Sequence, residues 1–161
     1  MSKKDEKTNV MRILEQKNIP YTPHTYPHDG DAAPDGLAVA RSLGQDPETV
    51  FKTLVARGAS NALYVFDIPV GDSLDLKKAA KAVGEKSVAM LRQKELLPLT
   101  GYVHGGCSPV GMKKQFPTVL DESVEGLDTI VVSAGKIGAQ VELAPAALCG
   151  LIRGKFAPVA K

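Results

Sequence analysis

The chain has 161 residues, of which 43% are hydrophobic and 5% aromatic, with no tryptophan. This length predicts a single domain over residues 1–161, with a core built mainly from aliphatic side chains. Lys and Arg number 20 against 18 Asp and Glu, a net charge of +2, which excludes nucleic-acid binding by bulk charge alone. Any contact with RNA must therefore be local.

Cysteine usage and hydropathy predict a cytoplasmic setting. The two cysteines, Cys107 and Cys149, occur without a recognisable signal peptide or an apolar run near the roughly 18 residues of a membrane helix. We expect reduced cysteines and no membrane partner. His24, His28 and His104 lack the spacing of zinc ligands, so we expect no metal and no cofactor. An ion shared by His24 and His28, which flank one loop, is the alternative.

The N-terminal part of the chain predicts two helices separated by a long loop. Val10, Ile13 and Leu14 share one helical face, which predicts a helix over about 5–17. The segment NIPYTPHTYPHDGDAAPDG is rich in Pro, Gly and Asp and predicts short extended pieces and turns. Asp35 is then placed to cap the second helix.

Two apolar runs in the middle of the chain, TVFKTLVARG and ALYVFDIPV, predict an antiparallel hairpin. Strand alternation places Lys52 on the same face as Val50, Leu54 and Ala56. An ammonium in such a row must reach water, pair with a carboxylate or take part in chemistry, because burying it unpaired costs several kcal/mol. A lysine on an edge strand with its tip in solvent is the simpler alternative.

The segment SLDLKKAAKAVG predicts a third helix that ends at Gly84, with an apolar face and an outer face of lysines. A shorter helix is predicted over about 92–97. The apolar face of the third helix consists of Leu76, Ala79, Ala80 and Val83.

The C-terminal part alternates strand-like pieces with glycine loops. GYVHGGCSPVGMKKQFPTVLDESV contains one Gly/Pro loop, and DTIVVSAGKIGAQVELAP predicts two strands around a glycine turn. PAALCGLIRG predicts a closing helix that starts at Pro145. About six or seven short strands with four or five helices predict an α+β domain whose mixed sheet curls upon itself. The irregular order does not fit a doubly wound nucleotide-binding fold.

The loop GGCSPVG is a candidate oxyanion site. Gly105 and Gly106 allow backbone N–H groups to approach a ligand, and consecutive donors can stabilise a developing oxyanion. A tight structural turn explains the same residues, because their spacing matches neither the dinucleotide nor the phosphate-loop fingerprint. Ser108 lacks a nucleophile-elbow context and Cys107 lacks a recognisable histidine partner, so a triad enzyme fits poorly.

Six motifs occur in the order found in one known family. HTYPHD, VFKTLV, LDLKKAAKAVG, GYVHGGCSPVGMKK, PTVLDES and VVSAGKIGAQVELAP resemble the YbaK/EbsC family of aminoacyl-tRNA deacylases, from the first helix to about Phe156. The resemblance implies a curled, barrel-like mixed sheet flanked by helices, like the editing domain of bacterial prolyl-tRNA synthetases. It also implies removal of a wrong amino acid, cysteine in the most similar branch, from proline tRNA, with prolyl-tRNA synthetase as partner.

Three residues are implied to be catalytic by this resemblance. Lys52 matches the family's lysine, a ligand-facing cation that can bind the phosphate of the terminal adenosine or the substrate carbonyl. Gly105 and Gly106 match its paired glycines. We expect their amides to stabilise negative charge on the reacting carbonyl oxygen.

Five further residues are implied to bind the substrate. Tyr26 would orient the terminal ribose or the amino acid, Thr53 follows the lysine, and Ser133 would bound the pocket. Ser108 is expected to contribute unless the proline after it makes it a turn residue. Gln140 stands where the cysteine-specific bacterial members are expected to have an aspartate. An amide cannot act as a carboxylate base or pair with the substrate's ammonium.

The absence of a protein nucleophile agrees with the mechanism that the resemblance implies. The cysteinyl thiol would attack its own ester carbonyl and leave as a cyclic thiolactone, so that the enzyme only holds reacting atoms about 3 to 3.5 Å apart. Cys107 would then be a loop residue and not the catalytic thiol. Gln140 keeps Ala-tRNA(Pro) and a broader range of small amino acids open as substrates. A module that binds tRNA or the synthetase without cleaving anything is the remaining alternative.

Overall fold

The computed structural model describes residues 7–30, 32 and 34–161. Within them the chain forms five α-helices and eight strands, which confirms the α+β class. None of the helices in this part of the chain is long and apolar enough to cross a bilayer. Helices α1 to α5 are Asn9–Gln16, Gly36–Ser42, Leu76–Val83, Gln93–Thr100 and Pro145–Ile152. Strands β1 to β8 are Thr22–Thr25, Phe51–Gly58, Leu63–Pro69, Val88–Met90, Thr118–Asp121, Ile130–Ser133, Ala139–Leu143 and Lys155–Ala157.

The strands form two sheets where the sequence predicted one. The smaller sheet has the order β1-β7-β6 and is antiparallel. The larger sheet has the order β4-β2-β3-β5-β8 and is mixed, because β5 pairs in parallel with both β3 and β8. A parallel bridge between Val50 and Val131 links the two sheets. The strand pairings of the described residues close neither sheet into a barrel, so the barrel-like curl stays a prediction.

The predicted hairpin is formed by β2 and β3, and it leaves one strand edge open. Thr53 lies opposite Asp67 in this antiparallel pair. On its other side, β2 pairs with β4 only over residues 56–58. The first half of β2 therefore keeps an open edge, and Val50, just before it, bridges to Val131 of the smaller sheet.

Helix starts coincide with the capping residues of the sequence. The side chains of Thr8, Asp35 and Asp75 accept backbone hydrogen bonds at the starts of α1, α2 and α3. These acceptors satisfy N–H groups that have no partner within the helix. The cap at Asp35 fixes the start of α2, which forms part of the candidate site.

The core is aliphatic as expected, with one correction in α3. The largest cluster packs α1 and α5 against β6 and β7. In α3, Ala79 and Ala80 are buried as predicted, but Leu76 is 42% exposed. Leu76 is the first residue of the helix, and Leu74, just before it, is the leucine that packs into the core beneath.

Three elements differ from the sequence-based prediction. Helix α1 begins at Asn9, after the cap at Thr8, and not near residue 5 as predicted. Residues 5 and 6 of the predicted range lie outside the described residues. Helix α4 continues to Thr100 with Pro98 inside it, beyond the predicted end near residue 97. Strand β8 was not predicted, because its three residues are mostly exposed and have little apolar patterning. The loop over residues 101–117 contains neither helix nor strand, and it forms part of the site described next.

Candidate active site

A cavity of about 370 Å³ lies between the open edge of β2, the smaller sheet, α2 and the loop 101–117. Six of the eight residues predicted to form the site line this cavity. Gly106 and Ser108 are the two that do not. The six lining residues are Tyr26, Lys52, Thr53, Gly105, Ser133 and Gln140.

Four consecutive residues of β2, over 51–54, reach the cavity because the open edge of the strand faces it, and Lys52 and Thr53 are among them. Lys52 is half-buried. The salt bridges found among the described residues do not include Lys52. A half-buried ammonium on a cavity wall favours the ligand-facing role over the alternative of an exposed edge-strand lysine.

The paired glycines of the GGCSPVG loop differ in their surroundings. Gly105 lines the cavity and has a φ of +87°, in the left-handed region that favours glycine. The amide of Gly106 donates to the carbonyl oxygen of Val103 at 3.0 Å, so this donor is occupied. A Cβ at Gly106 would lie 3.1 Å from backbone atoms of Lys136 and Ile137. Gly106 therefore lets the loops GGCSPVG and SAGKIG pack closely together.

The two predicted serines both act as acceptors in turns. Ser108 is fully buried, and its Oγ accepts from the amide of Val110 at 3.2 Å, as the turn alternative expected. Ser133 ends β6 on the cavity wall, and its Oγ accepts from the amide of Gly135 at 3.1 Å. Because this bond uses Ser133 only as an acceptor, its hydroxyl proton is left for a ligand.

Gln140 gives the wall a neutral amide where the resemblance led us to expect an aspartate. It lies on β7 between His24 and Ser133 of the neighbouring strands and is 7% exposed. Its Oε1 accepts from Nε2 of Gln45 at 2.9 Å. Asp35, the capping residue of α2, places a carboxylate on the same wall.

A buried acid behind Thr53 was missed in the sequence. Asp67 is 0% exposed, and its Oδ1 accepts from Oγ1 of Thr53 at 2.5 Å. Its Oδ2 has no hydrogen-bond partner among the described residues. Burial raises the pKa of Asp67 to about 7, against the opposing effect of the bond from Thr53. The available signal was a lone aspartate inside the apolar run YVFDIPV.

Cys107 lines the cavity as a protonated thiol. It is buried, and desolvation together with the charge of Asp67 raises its pKa to about 12. The thiolate is the nucleophilic form of cysteine, and it is scarce at neutral pH when the pKa is this high. This supports the expectation that Cys107 is not the catalytic thiol.

A second cavity of about 560 Å³ adjoins the first at Tyr26, which lines both. The amide of Tyr26 donates to the carbonyl oxygen of Gly138 at 3.0 Å, which holds this residue against the SAGKIG loop. Residues of the loop 101–117 and of the SAGKIG loop line the second cavity. Its basic side chains, within the part of the chain that the structure describes, are Lys136 and His28.

His24 and His28 have separate partners. His28 Nδ1 donates to the carbonyl oxygen of Gly30 at 2.8 Å, whereas His24 Nε2 lies 2.8 Å from Oε1 of Glu142. The described residues contain no group of three or more His, Cys, Asp or Glu side chains arranged to hold a metal ion.

Comparison with known proteins places this geometry in a family. Residues 32–151 match the model of the aminoacyl-tRNA editing domain. EbsC of Enterococcus faecalis, provisionally named a Cys-tRNA(Pro)/Cys-tRNA(Cys) deacylase, is 48% identical over 157 residues, which cover 98% of this chain and 95% of that protein. The proline–tRNA ligase of Shouchella clausii is 28% identical over 126 residues, which cover 74% of this chain and 22% of the ligase.

The similarity extends to three dimensions. A crystal structure provisionally described as a trans-editing enzyme for prolyl tRNA synthetase superposes with a TM-score of 0.80 at 25% identity, covering 100% of this chain and 99% of that one. The chain therefore belongs to the aminoacyl-tRNA editing domain family, which confirms both the family and the class of enzyme, an aminoacyl-tRNA deacylase, predicted from its motifs.

Proposed function

We propose that this protein is a trans-editing enzyme that deacylates Cys-tRNA(Pro) in the cytoplasm, with prolyl-tRNA synthetase as its partner. The observation that carries the proposal is the convergence of Tyr26, Lys52, Thr53, Gly105 and the strand-end serine on one cavity. The name of EbsC, 48% identical, supports the substrate class.

The two adjoining cavities suit the two parts of an aminoacylated RNA end. The amino acid and its ester would occupy the first cavity, where Lys52 can pair with a phosphate or polarise the carbonyl. The terminal nucleotides would occupy the second cavity, beside Lys136 and His28. Tyr26, at the junction, would contact the ribose between them.

Charge on the reacting carbonyl oxygen would be stabilised by Lys52 and by the amide of Gly105. Gly106 was expected to share this role, but its amide is bound to Val103 in this conformation. Among the hydrogen bonds of the described residues, none uses the amide of Gly105 as donor. Removing one such donor from an enzyme costs on the order of 3 kcal/mol of transition-state stabilisation.

Bond breaking would be assisted by the substrate. The cysteinyl sulfur attacks the ester carbonyl carbon, the bond from that carbon to the ribose oxygen breaks, and a cyclic thiolactone leaves. The protonated state of Cys107 agrees with a mechanism that needs no protein thiolate. The contribution of the enzyme is then to hold sulfur and carbonyl in contact, which can supply several kcal/mol of the barrier.

The neutral amides of Gln140 and Gln45 favour Ala-tRNA(Pro) as a second candidate substrate. Without an aspartate at position 140, Asp35 is the carboxylate that the described part of the cavity wall offers to the substrate's ammonium. Alanine has no thiol, so its ester would have to be attacked by water. The product therefore distinguishes the two chemistries.

The test is a time course of deacylation for Cys-tRNA(Pro), Ala-tRNA(Pro) and correctly charged Pro-tRNA(Pro), with thin-layer detection of the released amino acid. We expect rapid loss of the cysteine ester with a thiolactone product, and little loss of the proline ester. Faster loss of the alanine ester than of the cysteine ester would show that Ala-tRNA(Pro), and not Cys-tRNA(Pro), is the substrate. If the protein binds tRNA but no ester is lost faster with it than in buffer alone, the protein is the non-catalytic binding module instead.

A further inference from the structure

One buried acid beside the cavity, Asp67, has no role in the substrate-assisted reaction. Asp67 is completely buried, it accepts one hydrogen bond, and its Oδ2 has no partner among the described residues. A buried carboxylate with so little compensation is costly when ionised, and native interiors leave few polar atoms unpaired. Its position behind a cavity-lining residue connects it to the site.

Thr53 is the link between Asp67 and the cavity. It lies on the cavity wall, and its hydroxyl donates to Oδ1 of Asp67 at 2.5 Å. A hydroxyl has one proton and two lone pairs, so with the proton directed at Asp67 the lone pairs are left for a ligand. Thr53 can therefore receive a proton from a ligand while passing its own proton to Asp67.

The groups that face Asp67 leave it free to act as a proton acceptor. The loop 101–117 contributes Cys107, which stays protonated because burial and the charge of Asp67 raise its pKa to about 12. From β2 the contact is Thr53, and from β5 the paired residue is Leu120, neither of which titrates. Lys52 projects from the opposite face of β2 to Thr53. No charge on a described residue contributes to the raised pKa of Asp67.

We propose that Asp67, acting through Thr53, receives the proton that the attacking group of the substrate must lose. This inference rests on the proposed function. The thiol gives its proton to Thr53 Oγ1 as the hydroxyl proton of Thr53 moves to Asp67 Oδ1, and sulfur bonds to the ester carbonyl carbon. When the bond from that carbon to the ribose oxygen breaks, the proton returns by the same path to the ribose oxygen. Asp67 is then ionised again, and atoms and charge balance.

This arrangement supplies from the larger sheet the carboxylate that the smaller sheet lacks at Gln140. A general base is most effective when its pKa lies near the working pH. The pKa of about 7 at Asp67 meets that condition. An amide cannot act as a base, and an ordinary exposed carboxylate has a pKa of about 4, too low to meet the condition.

The test is kcat/KM for Cys-tRNA(Pro) across about pH 5.5 to 8.5, the range around the pKa of Asp67, for wild type, Asp67→Asn, Thr53→Val and Thr53→Ser. The rate at which Cys-tRNA(Pro) loses cysteine in buffer without enzyme, measured at each pH, gives the contribution of the substrate's own thiol. We expect the wild-type rate to rise as pH crosses the pKa of Asp67. Asp67→Asn and Thr53→Val should lose that rise and about 10²-fold or more in rate, the usual contribution of acid–base catalysis. Thr53→Ser keeps the hydroxyl and should stay within a few-fold of wild type.

Folding of each variant is checked by thermal unfolding. If Asp67→Asn does not fold, the comparison of Thr53→Val with Thr53→Ser tests the inference. A Thr53→Val enzyme with the rate and pH profile of wild type overturns the inference and leaves the proposed function intact. A folded Asp67→Asn enzyme with the rate and pH profile of wild type also overturns the inference and leaves the proposed function intact. A wild-type protein that does not deacylate at any pH overturns both.

Discussion

Lys52 and Asp67 each interrupt an apolar run of the β2–β3 hairpin, and their surroundings separate their roles. Lys52 is half-buried beside a cavity, so its ammonium can remain in contact with water or ligand. Asp67 has no such access and bears the cost of desolvation, which raises its pKa to about 7. One residue is therefore suited to binding an anion and the other to accepting a proton.

The buried acid makes stability depend on pH. The pKa of Asp67 rises from its ordinary 3.8 to about 7 on folding, so the unfolded chain loses this proton more readily. The native state is therefore destabilised as pH rises from about 4 to about 7, by roughly 4 kcal/mol at 1.36 kcal/mol per pKa unit. Asp67→Asn removes this titration. The free energy of unfolding of Asp67→Asn relative to wild type should increase across that window and then level off.

Chemical denaturation of both proteins at several pH values measures this difference. Because Asn has nearly the same shape as protonated Asp, the two should be closest in stability at the acidic end. A difference that is constant from about pH 4 to about pH 8 would show that Asp67 carries no such penalty.

At the residue scale, the sequence predicted those cavity residues that belong to the family's motifs. Tyr26, Lys52 and Thr53 were predicted and line the cavity. Asp67 was missed because its importance comes from its register opposite Thr53 and from complete burial, both of which are properties of the packed sheet. The occupied amide of Gly106 was missed for a similar reason, since it follows from the conformation of the loop.

At the scale of elements, the cavity exists because β4 covers only part of β2 and because two glycine loops meet. Gly106 permits that meeting, since a Cβ there would lie 3.1 Å from the backbone of Lys136 and Ile137. Backbone atoms cannot rotate away as the end of a flexible side chain can. The two loops line the cavities, so their spacing determines the shape of the site.

Gly106→Ala should therefore separate the two loops. Overpacking of this kind typically costs about 1 to 3 kcal/mol, and the distorted loop should also lower the rate of deacylation. Gly150→Ala is the matched control, because a Cβ there meets nothing within 4 Å and Gly150 lies in α5. That control should be neutral or stabilising by up to about 1 kcal/mol. Equal unfolding midpoints and activities for the two variants would contradict the packing role of Gly106.

Local signals predicted most elements, and long-range pairing explains the exceptions. The cap at Asp35, the hairpin and the closing helix from Pro145 are confirmed, because each is encoded within a few residues. Strand β8 depends on parallel pairing with β5, which is distant in sequence. Leu76 has the spacing of a core residue, but Leu74 takes the buried place instead.

For the whole molecule, the near balance of charges predicts weak dependence of RNA binding on salt. The net charge is only +2, and among the described residues the lysines on the walls of the two cavities are Lys52 and Lys136. Uncharged tRNA has no ester carbonyl, so both lysines can pair with phosphates. Two phosphate contacts on a single strand give a log–log slope of about −1.4 for affinity against salt, at about 0.7 per contact. Titrating uncharged tRNA(Pro) at several salt concentrations measures the slope.

Lys136→Ala should make that slope shallower by about 0.7, the contribution of one contact. Lys77→Ala, in α3 and away from both cavities, should leave it unchanged. A wild-type slope steeper than about −5 would mean that many more phosphates are neutralised and that binding is not confined to these cavities.

The overall class followed from counting short strands and helices, whereas the division into two sheets did not. Whether neighbouring strands form one sheet or two depends on which edges pair, and here β2 keeps an open edge toward β6. That open edge is also where Lys52 and Thr53 reach the cavity. The part of the architecture that sequence could not determine is thus the part that forms the site.

The most direct test of the account is the rate at which purified wild type, Lys52→Ala and Lys77→Ala release cysteine from Cys-tRNA(Pro). Wild type and Lys77→Ala should act at equal rates well above buffer, whereas Lys52→Ala should lose about 10²-fold or more, the usual effect of removing one group that stabilises the transition state. Thermal unfolding should show that all three are folded. A folded Lys52→Ala protein as active as wild type would contradict the central claim that Lys52 faces the substrate.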